Sequence, residues 1–151
     1  MVWGEGGASG GIGNQSLDKQ YQFWYTYIMP QIKDKILTAY FFKTSAGNEP
    51  VREWLKLRKP EEKKAIGEDI KAVEYSWPIG YPQVTKLDKD LWEVRTVLQG
   101  GICRVFFTIL KRYMVLLHSI IKKSQKTPQQ DLELAKKRRN IVMAGGITDE
   151  K

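Results

Sequence analysis

The stretch Leu91–Leu110, LWEVRTVLQGGICRVFFTIL, decides how this chain folds. Two runs rich in Val, Ile, Phe and Trp flank Gly100-Gly101, and a glycine pair between such runs signals a two-residue hairpin turn. With that turn, Gln99 faces Ile102, Val97 faces Arg104 and Arg95 faces Phe106. Side chains alternate along a strand, and directly opposed residues share a face. Trp92, Val94, Leu98, Cys103, Val105, Phe107 and Ile109 therefore line an apolar face that wants a core. Glu93, Arg95, Val97, Arg104 and Phe106 line the other. Arg95 and Arg104 become diagonal neighbours, about 7–8 Å apart. Two guanidinium groups so placed repel unless an anion joins them, which makes the pair a candidate functional site.

Working outward from the hairpin, Lys111-Arg112 turns the chain into a further strand, Tyr113 to Ile121, apolar on both sides and so expected at the sheet centre. A two-residue and a three-residue turn put His118 on opposite faces of it. Thr127-Pro128-Gln129-Gln130 reads as a helix start. Thr127 is the cap, Pro128 the first helical residue and Gln130 completes a capping-box pattern. That helix runs to about Val142, with Leu132 and Ala135 inward. On the other side of the hairpin, Pro78 to Asp90 reads as a loop with prolines at 78 and 82. Before it, Ile66, Ile70, Val73 and Trp77 recur at helical spacing in a helix that starts at Pro60. A shorter helix, capped by Asn48, carries Val51, Trp54 and Leu55 on one stripe to about Arg58. Ile36 to Thr44 suggests a first strand. The order β-α-α-β-β-β-α implies an α+β domain, with helices packed on a small, largely antiparallel sheet.

Residues 1–28 look foreign to this plan. Six glycines fall between Gly4 and Gly13, and an aromatic knot, YQFWYTY, follows at Tyr21 to Tyr27. There is no basic start and no continuous apolar core of a secretory signal. Met29 opens a more natural start, so 1–28 reads as an extension, non-native or disordered, with an aromatic segment that docks on the domain or a partner as the alternative. The domain proper spans 29–142, and 143–151 is a tail.

The 151 residues suit one domain, and 42% hydrophobic content makes it globular. No apolar stretch is long enough for a transmembrane helix, so a cytoplasmic protein without a membrane partner is expected. One cysteine excludes an internal disulfide and a cysteine-based zinc site, and one histidine excludes sites built on several imidazoles. No cofactor or metal is expected. The net charge of +8, from 25 Lys+Arg against 17 Asp+Glu, points to a polyanionic partner. Between Lys122 and Arg139 seven basic side chains stand against two acidic ones, a local net of +5.

Several enzyme classes lack their motifs: there is no GxxxxGK[ST], no GxSxG and no His-Glu helix motif. The carboxylates Glu61, Glu62, Glu68 and Asp69 sit in an ordinary charged helix surface. What remains is cationic. Arg95 and Arg104 share a face, and Lys122, Lys123 and Lys126 precede a helix start, where free N–H groups favour phosphate. The bland alternative pairs Arg95 with Glu93 and leaves the lysines solvated. His118 is either a general base or a hydrogen-bonded core residue. Trp92 falls on the apolar face as a core anchor, while Phe106 and Tyr81 suit base stacking.

The residues Gly80-Tyr81-Pro82, Lys86-Leu87, Leu91-Trp92-Glu93-Val94-Arg95, Gly101-Ile102-Cys103-Arg104-Val105 and Leu116-Leu117-His118 form one part of a wider pattern. Lys122-Lys123-Ser124-Gln125-Lys126-Thr127-Pro128 and Glu133-Leu134-Ala135-Lys136-Lys137-Arg138 complete it. Together they resemble the RelE/HigB superfamily of bacterial toxins, especially its phage-associated HigB-like branch. The resemblance implies a RelE-like α+β fold, with two N-terminal helices and a C-terminal helix on the sheet. It also implies a toxin that cuts messenger RNA on the ribosome and is silenced by a cognate antitoxin, a helix-turn-helix protein of the HigA-like kind. Arg104 would contact the scissile phosphate, and Arg95, Lys122, Lys123 and Lys126 would complete the site. Where some members have a lysine base or a histidine–aspartate cluster, this chain has Glu93 and no C-terminal histidine.

RNA brings its own nucleophile, the 2′-hydroxyl, so the protein need only align it and stabilise charge. A lysine crowded by cations has a lowered pKa, which makes Lys123 or Lys126 the candidate base. His118 and Tyr113 are reserve proton carriers, and Lys136 and Arg139 are expected RNA contacts. Two other readings stand beside this one: a relative that inhibits DNA gyrase, and a non-enzymatic RNA- or ribosome-binding protein of phage origin.

Overall fold

The computed structural model describes residues 19–32, 34–80, 83–123 and 126–145. Five strands form one sheet: β1 (Thr38–Phe41), β2 (Val84–Asp88), β3 (Leu91–Leu98), β4 (Gly101–Leu110) and β5 (Tyr113–Lys122). Their order is β1-β5-β4-β3-β2, with β1 parallel to β5 and the other pairs antiparallel. The helices are α1 (residues 19–32, with a π-helical turn Trp24–Ile28), α2 (Pro50–Lys56), α3 (Pro60–Ser76) and α4 (Gln129–Gly145). This is the α+β architecture expected, with β5 an interior strand between β1 and β4 and β4 at the centre. No helix among the described residues is long and apolar enough to cross a membrane.

The hairpin keeps its two faces but turns one residue earlier than the glycine pair suggests. Leu98 pairs with Gly101, so Gln99-Gly100 is the loop and Arg95 lies directly opposite Arg104. The pairing shifts by two, which preserves every inward and outward assignment. Gly101 belongs in the ladder because β5 crowds it: a Cβ there would lie 3.0 Å from the Lys122 carbonyl oxygen, and its φ is +150°.

A second correction concerns residues 78–90. Val84–Asp88 is a strand rather than loop, an edge strand that pairs with β3 through the turn at Lys89-Asp90. Asp90 takes a positive φ of 55° there. Two smaller corrections concern caps. Glu49, not Asn48, precedes the first turn of α2, with Pro50 at its start. α4 starts at Gln129 rather than Pro128, whose carbonyl accepts from Leu132 N–H at 3.0 Å, and the Thr127 O–H points inward to Glu93.

On one side of the sheet, Val94, Val105, Phe107, Met114 and Leu116 pack with Val51 of α2 and Ile66, Ile70 and Val73 of α3. Trp92 anchors the margin, edge-on to Trp77 at 5.2 Å and stacked with Phe107 at 5.9 Å. Each such buried side chain contributes about 1.5–3 kcal/mol. Burial pushes the Cys103 thiol on this face up to about 12, so it is inert filler. The aromatic knot is helical, within α1, and lies on α3: Gln22 Nε2 donates to Asp69 Oδ1, and Lys64 Nζ donates to the Tyr27 hydroxyl at 3.2 Å. Residues 1–18 and 146–151 lie outside the described residues.

α4 covers the other side, where Ala135 and Val142 meet Phe42, Leu91, Phe106, Val115, Leu117 and Ile120. A bulge in β5 shapes this side. Phe106 pairs with His118 and Phe107 with Leu116, so Leu117 is an extra residue. The two-residue turn alone would bring His118 opposite Val105, into the α2–α3 core. The bulge rotates it onto the face of Arg104 and α4.

Candidate functional site

Three rows of side chains cross the face under α4. Glu93, Phe106 and His118 form the first, Arg95, Arg104 and Ile120 the second, and Val97, Ile102 and Lys122 the third. Adjacent rows on one face lie about 7 Å apart along the strands. Arg104 is therefore a diagonal neighbour of Glu93, His118 and Lys122, each about 7–8 Å away between backbones.

Glu93 and Arg104 meet in the buried part of this face. Arg104 is 1% exposed and Glu93 2%, and Arg104 Nη1 donates to Glu93 Oε2 at 2.7 Å. The other Glu93 oxygen, Oε1, accepts the Thr127 hydroxyl at 3.2 Å. A carboxylate accepts only, so one acid ties a β4 arginine to the residue preceding Pro128 and α4. Glu93, the acid that the bland alternative assigns to Arg95, thus holds Arg104, which lies further under the helix.

The first row ends in a second pair. His118 Nε2 lies 2.7 Å from Asp131 Oδ1, with side chains 17% and 22% exposed. Phe106 stacks on the imidazole at 5.7 Å and 15°. A carboxylate that accepts the Nε2 proton fixes the ring's orientation and leaves Nδ1 as the atom able to exchange one. The sequence reading weighed His118 but missed Asp131. The signal was an acid in the first turn of a helix, where the dipole favours it in any case.

The remaining cations divide into two sets. Arg95 stands opposite Arg104 and is half-buried, while Lys122 is exposed at the last position of β5 and Lys123 and Lys126 are exposed after it. Toward the far end of α4 the basic residues serve as struts. Arg139 Nη1 donates to Asp88 Oδ2 at 2.9 Å and to the Lys89 carbonyl at 2.5 Å, holding α4 on the β2–β3 turn. That bond holds the Asp88 carboxyl below its ordinary value. Arg138 Nη1 donates to the carbonyl of the bulged Leu117 at 2.8 Å and sits over the Phe42 ring, and burial lowers its pKa. Lys136 lies 3.7 Å from Glu133 on the same helix.

Other candidates fall elsewhere. Phe106 is fully buried, so its ring meets His118 and is closed to a nucleobase. Tyr113 stands at the opposite end of β5 from Lys122 and packs on Tyr40, away from Arg104. Tyr81 lies outside the described residues. Among the described residues, no three His, Cys, Asp or Glu side chains gather as metal ligands do.

The profile of the family described as Phage derived protein Gp49-like matches residues 53–140, more than half of the chain. That span takes in most of α2, all of α3, strands β2 to β5 and α4 as far as Asn140. No curated protein matches the chain.

Proposed function

We propose that this chain, which belongs to the Gp49-like family of phage-derived proteins within the RelE/HigB-like toxin superfamily, is the toxin of a toxin–antitoxin pair and cuts messenger RNA on the ribosome. One observation carries the reading. Arg95 and Lys122 lie in the outer rows of a sheet face, exposed Lys123 and Lys126 follow in the chain, and His118 on that face meets Asp131 of α4 at 2.7 Å.

The exposed cations would seat the RNA backbone, each contact releasing counterions and adding salt dependence. Cleavage needs a proton taken from the 2′-hydroxyl as it attacks the adjacent phosphorus and a proton given to the departing 5′-oxygen. His118, oriented by Asp131, serves one transfer. Lys123 or Lys126 serves the other, or stabilises the charge on the phosphate. Arg104 lies beneath with its Nη1 engaged by Glu93, which balances its charge. A direct grip on the phosphate requires the cover over it to open. The partners are the ribosome, messenger RNA and a helix-turn-helix antitoxin, met in the cytoplasm.

Arg104 also favours a second reading. A guanidinium 1% exposed and engaged by a buried carboxylate suits a protein that binds RNA or ribosome without cutting. Mapping messenger RNA 5′ ends on purified translating ribosomes separates the two. The toxin reading expects new 5′ ends with the wild-type chain and their loss with His118→Asn, while ribosome binding persists. Ribosome binding with no new ends would leave the binding reading standing.

A further inference from the structure

We infer that Glu93 is a positioning residue which, through Thr127, fixes the first turn of α4 and the adjoining Lys126 over the sheet face; its catalytic consequence rests on the toxin reading above, its geometry does not. The two Glu93 oxygens are divided between partners that are distant in sequence. Oε2 holds Arg104 on the next strand, and Oε1 holds Thr127, 34 residues away. Thr127 lies directly between Lys126 and Pro128. Four residues later Asp131, one helical turn on, reaches His118 on β5. The start of α4 is therefore fastened to β3 by one side-chain link and to β5 by another, spanning β4 between them.

Stability alone does not account for this choice. Burying a carboxylate and a guanidinium costs several kcal/mol of desolvation each, and apolar residues of like volume commonly do as well or better. A threonine before a helix ordinarily spends its hydroxyl on the helix's own N–H groups. A cap uses the hydroxyl oxygen as acceptor, while here the Thr127 O–H is committed as donor to Glu93, and that link sets a direction. The apolar contacts of Ala135 and Val142 hold α4 against the sheet but permit sliding. The Thr127 and Asp131 links fix where its first turn stops, and so where Lys126 stands relative to His118.

Changing Glu93 itself would strand Arg104 in the interior, so Thr127 is the better handle. Thr127→Val removes the hydroxyl and keeps the shape, and Thr127→Ser restores the hydroxyl. The experiment uses the full chain and two readouts: cleavage on translating ribosomes, resolved into kcat and KM, and amide exchange of the peptide over residues 126–134. Thr127→Val should lower kcat about 10- to 100-fold with KM nearly unchanged, the scale of a small misplacement of reacting groups. It should also speed exchange in the first turn of α4. Thr127→Ser should bring both back toward wild type. Unchanged exchange in Thr127→Val overturns the inference. So does a rise in KM at constant kcat, which would make Thr127 a simple binding contact. If the wild-type chain does not cleave at all, the toxin reading fails, and exchange alone decides the positioning role.

Discussion

On the α2–α3 side of the sheet, Val94, Val105, Phe107, Met114 and Leu116 meet Ile66, Ile70 and Val73 in close apolar contact. On the α4 side, Glu93, Arg104 and His118 stand among Phe106, Val115 and Leu117, each joined to a partner of opposite or complementary character. The first face is mostly an ordinary core, whose side chains need volume and apolarity, with one buried polar contact where Thr96 Oγ1 donates to Asp69 Oδ2 at 2.6 Å. The second spends desolvation energy on groups whose value lies in direction and charge. That asymmetry locates the face built for more than folding.

The largest expected effect tests this division directly. His118→Asn and Asp131→Asn should each lower RNA cleavage about 100- to 10,000-fold, the usual contribution of a positioned acid–base group. Their thermal midpoints should change little, since both side chains are partly exposed. Phe107→Ala, on the apolar face, should do the reverse and remove about 3–5 kcal/mol of stability. Cleavage and denaturant unfolding, measured side by side, separate the cases. If His118→Asn unfolds the chain as readily as Phe107→Ala, the two faces do not differ as argued.

The buried ion pair gives the next effect. Arg104→Met alone leaves Glu93 charged in the interior and should cost about 3–5 kcal/mol. Adding Glu93→Leu should recover most of that loss, because an apolar pair suits the surroundings. The doubly changed protein should fold but not cleave. A double variant no more stable than the single one would mean that the pair is needed for folding itself. A smaller cost attaches to Arg138→Met, which leaves the Leu117 carbonyl at the bulge without its donor. About 1–3 kcal/mol is expected, the cost of an unsatisfied buried acceptor. Unfolding curves measure it, and no loss would show that the bulge holds without this bond.

How far these features could be read in the sequence depended on their range. Strand alternation fixed which of Trp92 to Ile109 turned toward the core, and the glycine pair located the hairpin. A two-residue slip in the turn left the faces intact, because the side-chain period is also two. His118 was different. Its face depended on one extra residue at Leu117, and nothing in the run MVLLHSII marks where a bulge falls. β2 escaped because Val84–Asp88 is short, charged at Lys86 and Asp88, and set among prolines. The links of Thr127 and Asp131 arise only once α4 docks, so a local reading assigned Thr127 to the cap. Arg139 looked like one more cation for RNA until Asp88 of that unread strand came beside it.

That last link gives the smallest expected effect, and it concerns the strut rather than the site. Arg139 donates to Asp88, and this hydrogen bond, with a further one from the Lys89 backbone, holds the Asp88 carboxyl below its ordinary value of 3.8. A carboxylate whose pKa falls on folding stabilises the folded state wherever it is ionised in both states. Its contribution is fully present above the ordinary value and disappears as pH falls through the lowered one. Asp88→Asn should therefore cost a little stability at pH 7. Wild type and variant should converge in strong acid, at pH values below the ordinary carboxyl range. Because Asp88 lies at the surface, added salt should also narrow the gap at pH 7. Thermal midpoints of both proteins across that range, at low and high salt, provide the measurement. A gap that stays constant with pH and salt would assign the Asp88–Arg139 contact to shape rather than charge. Cleavage should stay at the wild-type level throughout at neutral pH, because the strut stands at the far end of α4 from His118 and Lys126.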